Sequence, residues 1–263
     1  MILVTGATGA LGRPTVSLLT AAGHDVRALS RQPAPDPARV VADLSTGAGL
    51  AAALTGVTTV VHLATGANTH DSQQTRQLLR AIAGHPIEHL VFMSIVGVDK
   101  HSLGFYRDKH LSEQFIAASG APYTILRATQ FHSFVARLFT AQRRLPITVV
   151  PSFRMQPVAV DEVAARLVEL VDAGPSGRVD DFGGPGQLSF RQLAQQWNAA
   201  HSLRKPVWSL PILGAVGRSF AHGVHLASLP GGGNIPFSAY AEAHARAAGA
   251  AGAAGSLRGS GTS

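Results

Sequence analysis

Gly6, Gly9 and Gly12 stand three apart directly behind the apolar run Ile2-Leu3-Val4, and "TVSLLTAAG", with apolar residues at helical intervals, follows them. A strand that turns through glycines into a helix presents bare backbone N–H groups, and the positive end of the helix dipole, to an anion. The glycines divide the work. One lets the chain turn off the strand, one lets the backbone approach a diphosphate, and one lets the helix pack close on the sheet. The residues lining such an anion are Gly6, Thr8, Gly9, Ala10, Leu11 and Gly12, with the hydroxyls of Thr5 and Thr8 as further donors. A glycine turn that merely packs is the alternative. The position of this one, at the first strand-to-helix junction of the chain, points to dinucleotide binding.

The end of the second strand discriminates between the nicotinamide dinucleotides: an acidic residue bonds the ribose 2′-hydroxyl, whereas an arginine accommodates the 2′-phosphate. The stretch "RALSRQP" offers Ser30 and Arg31 and no carboxylate, while Asp25 precedes the strand. A guanidinium binds phosphate through two parallel N–H donors and Ser30 adds a hydroxyl, so NADP(H) is favoured over NAD(H). A solvated loop arginine is the alternative for Arg31.

These residues need a frame to hold them. Short strands alternate with amphipathic helical stretches, the pattern of a parallel sheet covered on both faces. The strands are "MILVTG", "HDVRALSR", "ARVVADL", "VTTVVHLAT", "IEHLVFMSIVG" and "PYTILRATQF". The helices between them are "RPTVSLLTAAG", closed by Gly23, "GAGLAAALTG", "THDSQQTRQLLRAIAGH" and "LGFYRDKHLSEQFIAASG". Pro33, Pro35 and Pro37 forbid a helix between the second and third strands. The fold class is α/β, a Rossmann-like doubly wound parallel sheet with a small C-terminal substrate lobe. Residues 1–240 form one domain, the lobe being built mainly from 132–240, and the glycines and serines of 241–263 predict a disordered tail. Trp197, Trp208, Phe190 and Phe220 are expected in the lobe's core and pocket wall, while "GGGNIPF" matches no known motif.

Composition narrows the partners. The chain has 263 residues, 46% of them hydrophobic, and a formal net charge of +7. Lys100, Lys109 and Lys205 are its lysines, and its arginines are spread without a dense run, which argues against nucleic acid. The absence of cysteine excludes disulfides, thiol catalysis and thiolate metal sites. No His-Glu-x-x-His pair is present, so no metal is expected. No apolar stretch approaches membrane-spanning length and the chain opens on a strand, so no membrane partner is expected and the location read is cytoplasmic.

The spacing "TGATGALG" departs from G-x-G-x-x-G, and with the layout above it resembles the short-chain dehydrogenase/reductase superfamily, above all its atypical, NmrA-like NAD(P)H-binding members. "LVFMSIVGV", "SGAPYTILRATQFHSF" and "QPVAVDEVA" carry the resemblance on to about Ala173. It implies that Asp43 and Leu44 of "ADL" contact the adenine, that Ala64 and Thr65 of "HLATG" pass along the cofactor, and that Gln130 and Phe131 line the substrate pocket. Asp43 as a helix cap and Phe131 as ordinary packing are the alternatives.

The superfamily reduces carbonyls with a serine, a tyrosine and a lysine, the lysine ammonium favouring the phenolate of a tyrosine four residues earlier. Ser94 ends the fifth strand and Lys109 lies in "FYRDKHLSE", but the position four residues before Lys109 is Phe105. Tyr106 stands one residue on, rotated by about 100°. Three readings follow. Lys109 anchors the nicotinamide ribose while hydride passes to an acceptor that needs no tyrosine proton, such as a quinone, flavin or dye-like compound. Tyr106 or a water supplies the proton to an enone or carbonyl. Or the chain binds NADP(H) without turnover, as a redox-sensing regulator acting through a protein partner. A homodimer is compatible with each. His132 reads as a structural histidine, and Asp161 and Glu162 as first-turn charges favoured by a helix dipole.

Overall fold

The computed structural model describes residues 1–258 except 34, 37 and 67–69; Pro37, Thr69 and the stretch after 258 lie outside the described residues. The first half of the chain runs β1 (Ile2–Thr5), α1 (Gly12–Ala21), β2 (Val26–Ser30), β3 (Arg39–Val41), α2 (Leu50–Ala53), β4 (Thr59–His62), α3 (Asp71–Ile82), β5 (His89–Ile95), α4 (Gly104–Ala117) and β6 (Tyr123–Ala128). The second runs α5 (His132–Ala141), β7 (Thr148–Pro151), β8 (Arg154–Met155), α6 (Val160–Ala173), β9 (Gly177–Arg178), β10 (Leu188–Ser189), α7 (Phe190–Ala200), β11 (Val207–Leu210), α8 (Gly214–Ala221) and α9 (Phe237–Arg258).

Seven strands form one parallel sheet in the order β3-β2-β1-β4-β5-β6-β9. Alternation along each strand sorts the core into two layers. Ile2 and Val4 of β1 pack with Leu19 of α1 and Val163 and Leu167 of α6 on one face. Leu3 packs with Leu50, Leu78 and Ile116 of α2, α3 and α4 on the other. Both faces are dry, which is why these strands read as near-continuous apolar runs. Each fully buried valine or leucine contributes about 1.5–3 kcal/mol. The chain leaves β1 for β2 and β3 on one side and returns to β4 on the other, opening a crevice at the carboxyl ends of β1 and β4.

The lobe is woven from two excursions of the chain, one between β6 and α6 and the other after β9. Its core joins Val135 and Phe139 of α5, Phe190 and Trp197 of α7, and Phe237 and Ala241 of α9. Ser189 and Gln192 form a reciprocal capping box that starts α7. Buried Gln156 ties the excursions together, accepting from Ala227 N at 2.8 Å and donating to Gly184 O at 2.9 Å. Asp161 and Glu162 lie in the first turn of α6. Glu162 Oε1 also accepts from the N–H groups of Asn234 and Ile235 at 2.5 and 3.1 Å. This accounts for "GGGNIPF": a Cβ on Gly233 would stand 3.0 Å from Glu162 Oε2.

Two expectations are corrected. Trp197, Phe190 and Phe220 do join the lobe's core or its groove wall, but Trp208 is 59% exposed, because it points off the outer face of β11. A tail beginning at 241 is replaced by the continuation of α9 to Arg258. Alanine has the highest helix propensity, and the helix is anchored where Ala241 is fully buried and the His244 ring lies 4.9 Å from that of Trp197.

Candidate functional site

The glycine turn lies at the crevice. Gly6 has a φ of +66°, and a Cβ there would come within 2.7 Å of the Leu63 and Ala64 backbone of the neighbouring strand end. A Cβ on Gly12 would stand 2.1 Å from Gly6 O, so the start of α1 can close on the turn only without a side chain. Gly9 is different: a Cβ there would meet only Gly6 O, at 3.1 Å. Thr8, Gly9 and Ala10 are exposed in front of α1, while Leu11 is buried and packs in the core. The cradle therefore opens outward at the three residues that would face an anion, and its shape fits a dinucleotide diphosphate. Arg13, whose Nε donates to Thr8 O at 2.9 Å, adds a cation that the sequence reading passed over.

Arg31 is exposed at the end of β2, and its charge acts on Asp43, which follows β3. Hydrogen bonds from the Ser45 hydroxyl and N–H, at 2.7 and 2.8 Å, hold the Asp43 carboxyl below the usual carboxylate range, with Arg31 contributing further. Asp43 thus closes a local turn rather than capping α2. The Ser30 hydroxyl donates to Gln32 O at 2.9 Å and accepts from Gln32 N–H at 3.2 Å, which shapes the loop beside Arg31. The Leu44 side chain is buried in the core beneath α2.

The ends of β1 and β4 are joined by buried hydrogen bonds. Ala64 N donates to Thr5 Oγ1 at 3.2 Å, Thr5 Oγ1 lies 2.7 Å from His62 Nδ1, and His62 Nε2 lies 3.1 Å from Thr75 Oγ1. Thr75 donates onward to Asp71 O at 2.8 Å. With the donors so ordered, His62 is neutral and carries its proton on Nε2. Burial, and then the charge of Lys109, lower its pKa to about 3. The Asp71 carboxylate accepts from Thr65 Oγ1 at 2.6 Å, Gly66 N at 2.7 Å and Lys109 Nζ at 3.1 Å. The Lys109 ammonium also sits 4.9 Å above the centre of the Phe92 ring. Sequence reasoning missed Asp71; its signal is an acid opening α3 directly behind "HLATG".

Tyr106 is 5% exposed, and its hydroxyl accepts from Gln130 Nε2 at 2.9 Å. Burial pushes the phenol up to about 12. Its ring stacks on that of His101 at 4.3 Å. Tyr106 and Gln130 are thus brought together, while Lys109 pairs with Asp71 instead of with a phenol. The hydroxyl of Ser94 and Oε1 of Gln130 are buried without a hydrogen-bond partner among the described residues. Such groups cost about 1–3 kcal/mol unless something fills the vacant valence, and here one lies at the end of β5 and the other two residues beyond β6. Phe131 is half-buried against the core and bridges to Val158. His132 is completely buried, donates to Pro157 O at 3.1 Å, and is lowered to about 4 by burial, as a structural histidine should be. Among the described residues no group of acids and histidines could hold a metal ion, and no helix is long and apolar enough to cross a membrane.

The comparisons agree with this geometry. The family model described as NAD(P)H-binding matches residues 6–173. A Streptomyces griseus protein, (4-alkanoyl-5-oxo-2,5-dihydrofuran-3-yl)methyl phosphate reductase, is 31% identical over 208 residues, covering 74% of this chain and 72% of its own length. Divinyl chlorophyllide a 8-vinyl-reductase of Oryza sativa is 30% identical over 221 residues, covering 71% of this chain and 55% of its own. The chain spans about half the length of this and several other curated relatives it matches. The Escherichia coli NADPH-dependent quinone oxidoreductase complexed with NADPH shares the fold, with a TM-score of 0.77 at 20% identity over 93% of this chain and 99% of that one. A glycine cradle at the sheet's switch point, within a Rossmann-like core that the family model matches, makes this chain a member of the NAD(P)H-binding family.

Proposed function

We propose that the protein is an NADPH-dependent reductase of a small, fairly apolar acceptor, a quinone, flavin, enone or activated carbonyl. The observation that carries this reading is the division of labour around Tyr106. Its phenol is raised to about 12 and bonded to Gln130, while Lys109 is committed to Asp71. A phenol so held stays protonated at neutral pH and is a poor proton source, which suits acceptors whose reduction is driven by hydride arrival and completed by solvent.

The residues that would hold the dinucleotide are Gly6 to Gly12 at the diphosphate, Arg31 at the 2′-phosphate, Asp43 near the adenine, and Ala64, Thr65 and Lys109 along the crevice. When bound, the reduced nicotinamide supplies the hydride. Tyr106 accepts its hydrogen bond from Gln130 and keeps its own proton, so it can offer an acceptor oxygen a hydrogen bond without giving the proton up. The unpartnered Ser94 hydroxyl is a second donor on the same sheet edge. Asp71 and Thr65 fix the Lys109 ammonium, and Phe131 supplies an apolar wall.

The test is NADPH oxidation by the full chain against a panel of quinones, flavins, enones and triarylmethane dyes. Turnover of at least one acceptor, reduced by Lys109→Ala beyond what any weakening of NADPH binding accounts for, is the expected result. Binding of NADPH without oxidation of any acceptor would replace the reductase with a redox-sensing regulator that works through a protein partner; Phe105, in the position of the usual proton donor, favours that second reading.

A further inference from the structure

We infer that the outer face of the β7–β11 ribbon is a docking surface for an anionic lipid bilayer. Parallel pairing of the two strands, with Trp208 opposite Val149 and Leu210 opposite Pro151, places four apolar side chains side by side on one face. Trp208 and Leu210 are 59% and 55% exposed, and Leu213, just beyond, is 83% exposed. The opposite face of the ribbon holds buried Thr148 and Val150 and packs against α7.

Because the strands are parallel, the segments that precede them meet at one end. Those segments are Arg143-Arg144 and Arg204-Lys205. Lys205 Nζ donates to the carbonyls of Gln142 and Arg143 at 3.1 and 2.5 Å, which pins the two basic pairs together. The chain carries no aspartate or glutamate between Glu113 and Asp161, or between Asp181 and Glu242. The lobe segments 132–159 and 182–236 therefore hold cations and no acid at all.

An outward tryptophan and leucines rimmed by arginine and lysine match the headgroup boundary of an anionic membrane, where the ring sits among headgroups and each cation gains about 1 kcal/mol. The same charge disfavours a second copy, since isologous pairing would press cation on cation. Adsorption of this kind needs no spanning helix and is independent of the dinucleotide site.

The experiment is co-sedimentation of the full chain with phosphatidylcholine vesicles, with and without phosphatidylglycerol. It is read together with tryptophan emission, to which exposed Trp208 and buried Trp197 contribute. Binding to the anionic vesicles only, with a blue shift that Trp208→Ser abolishes while NADPH binding is unchanged, is the expected result. Arg144→Gln with Arg204→Gln should lower the partition coefficient about thirtyfold, as should high salt. Failure to bind either vesicle overturns the proposal. So does binding of duplex DNA in preference to vesicles, or self-association that Trp208→Ser abolishes.

Discussion

Lys109 Nζ stands 3.1 Å from Asp71 Oδ2, and the two side chains are 5% and 1% exposed. The pair ties the middle of α4 to the first turn of α3 beneath the crevice. A second tie lies beside it, where Asp108 accepts from both the N–H and the hydroxyl of Ser72, at 3.1 and 2.5 Å. Removing one member of a buried pair strands the other. Asp71→Asn is therefore expected to cost about 3–5 kcal/mol in urea denaturation, with much of the loss recovered in Asp71→Asn/Lys109→Met. Equal losses in the single and double variants would deny that the two charges are coupled.

The glycines are expected to separate. Gly12→Ala forces a Cβ to 2.1 Å from Gly6 O, and should both destabilise the fold by about 1–3 kcal/mol and weaken NADPH binding. Gly9→Ala, with 3.1 Å to its nearest neighbour, should leave the melting temperature nearly unchanged and still weaken binding by obstructing the diphosphate. Calorimetry and thermal melts decide; unaltered affinity in Gly9→Ala would remove that residue from the cradle.

Arg31→Ala is expected to weaken NADPH about tenfold or more, the worth of a charge-assisted hydrogen bond, and NADH little. Equal weakening of both cofactors would remove Arg31 as the selector.

Two histidines give the stability a pH dependence of definite sign. His62 and His132 are lowered from 6.5 to about 3 and about 4, so the unfolded chain binds protons that the folded one refuses. Their contribution is fully present above pH 6.5 and is lost as the pH falls toward those lowered values. Between about pH 7 and about pH 5 the denaturation free energy should drop on the order of 2 kcal/mol per histidine. A flat profile across that range would mean that one or both are solvated.

Tyr106 should titrate last. With its phenol raised to about 12, Tyr106→Phe is expected to leave the ultraviolet phenolate signal developed by about pH 11 unchanged while circular dichroism is still native. A diminished signal would place Tyr106 beside an unseen cation and restore the conventional proton donor.

The parallel sheet was legible because buried strands are written as short β-branched runs, and the switch-point crevice because Gly6 and Gly12 have no sterically permitted substitute there. The neighbourhood of Lys109 was less so. Lys109 was singled out by the family resemblance, but its partner lies 38 residues away on another helix, and no local spacing reports such a contact. The local bond of Ser30 to Gln32 was not legible either, because short polar side chains compete for nearby backbone. The continuation of α9 was hidden by composition: glycine and serine counts do not reveal that Ala241 is pinned against α7.

Gln156 fastens Ala227 and Gly184 to a segment on the far side of α6 and β9. The lobe is consequently not a cassette. A chimera that swaps only the stretch before α6, or only the stretch after β9, would inherit half of a braid and leave a buried carboxamide facing foreign backbone. The lobe can be transplanted between relatives only by moving both strands of the braid at once, and lobe and sheet should melt as one cooperative unit.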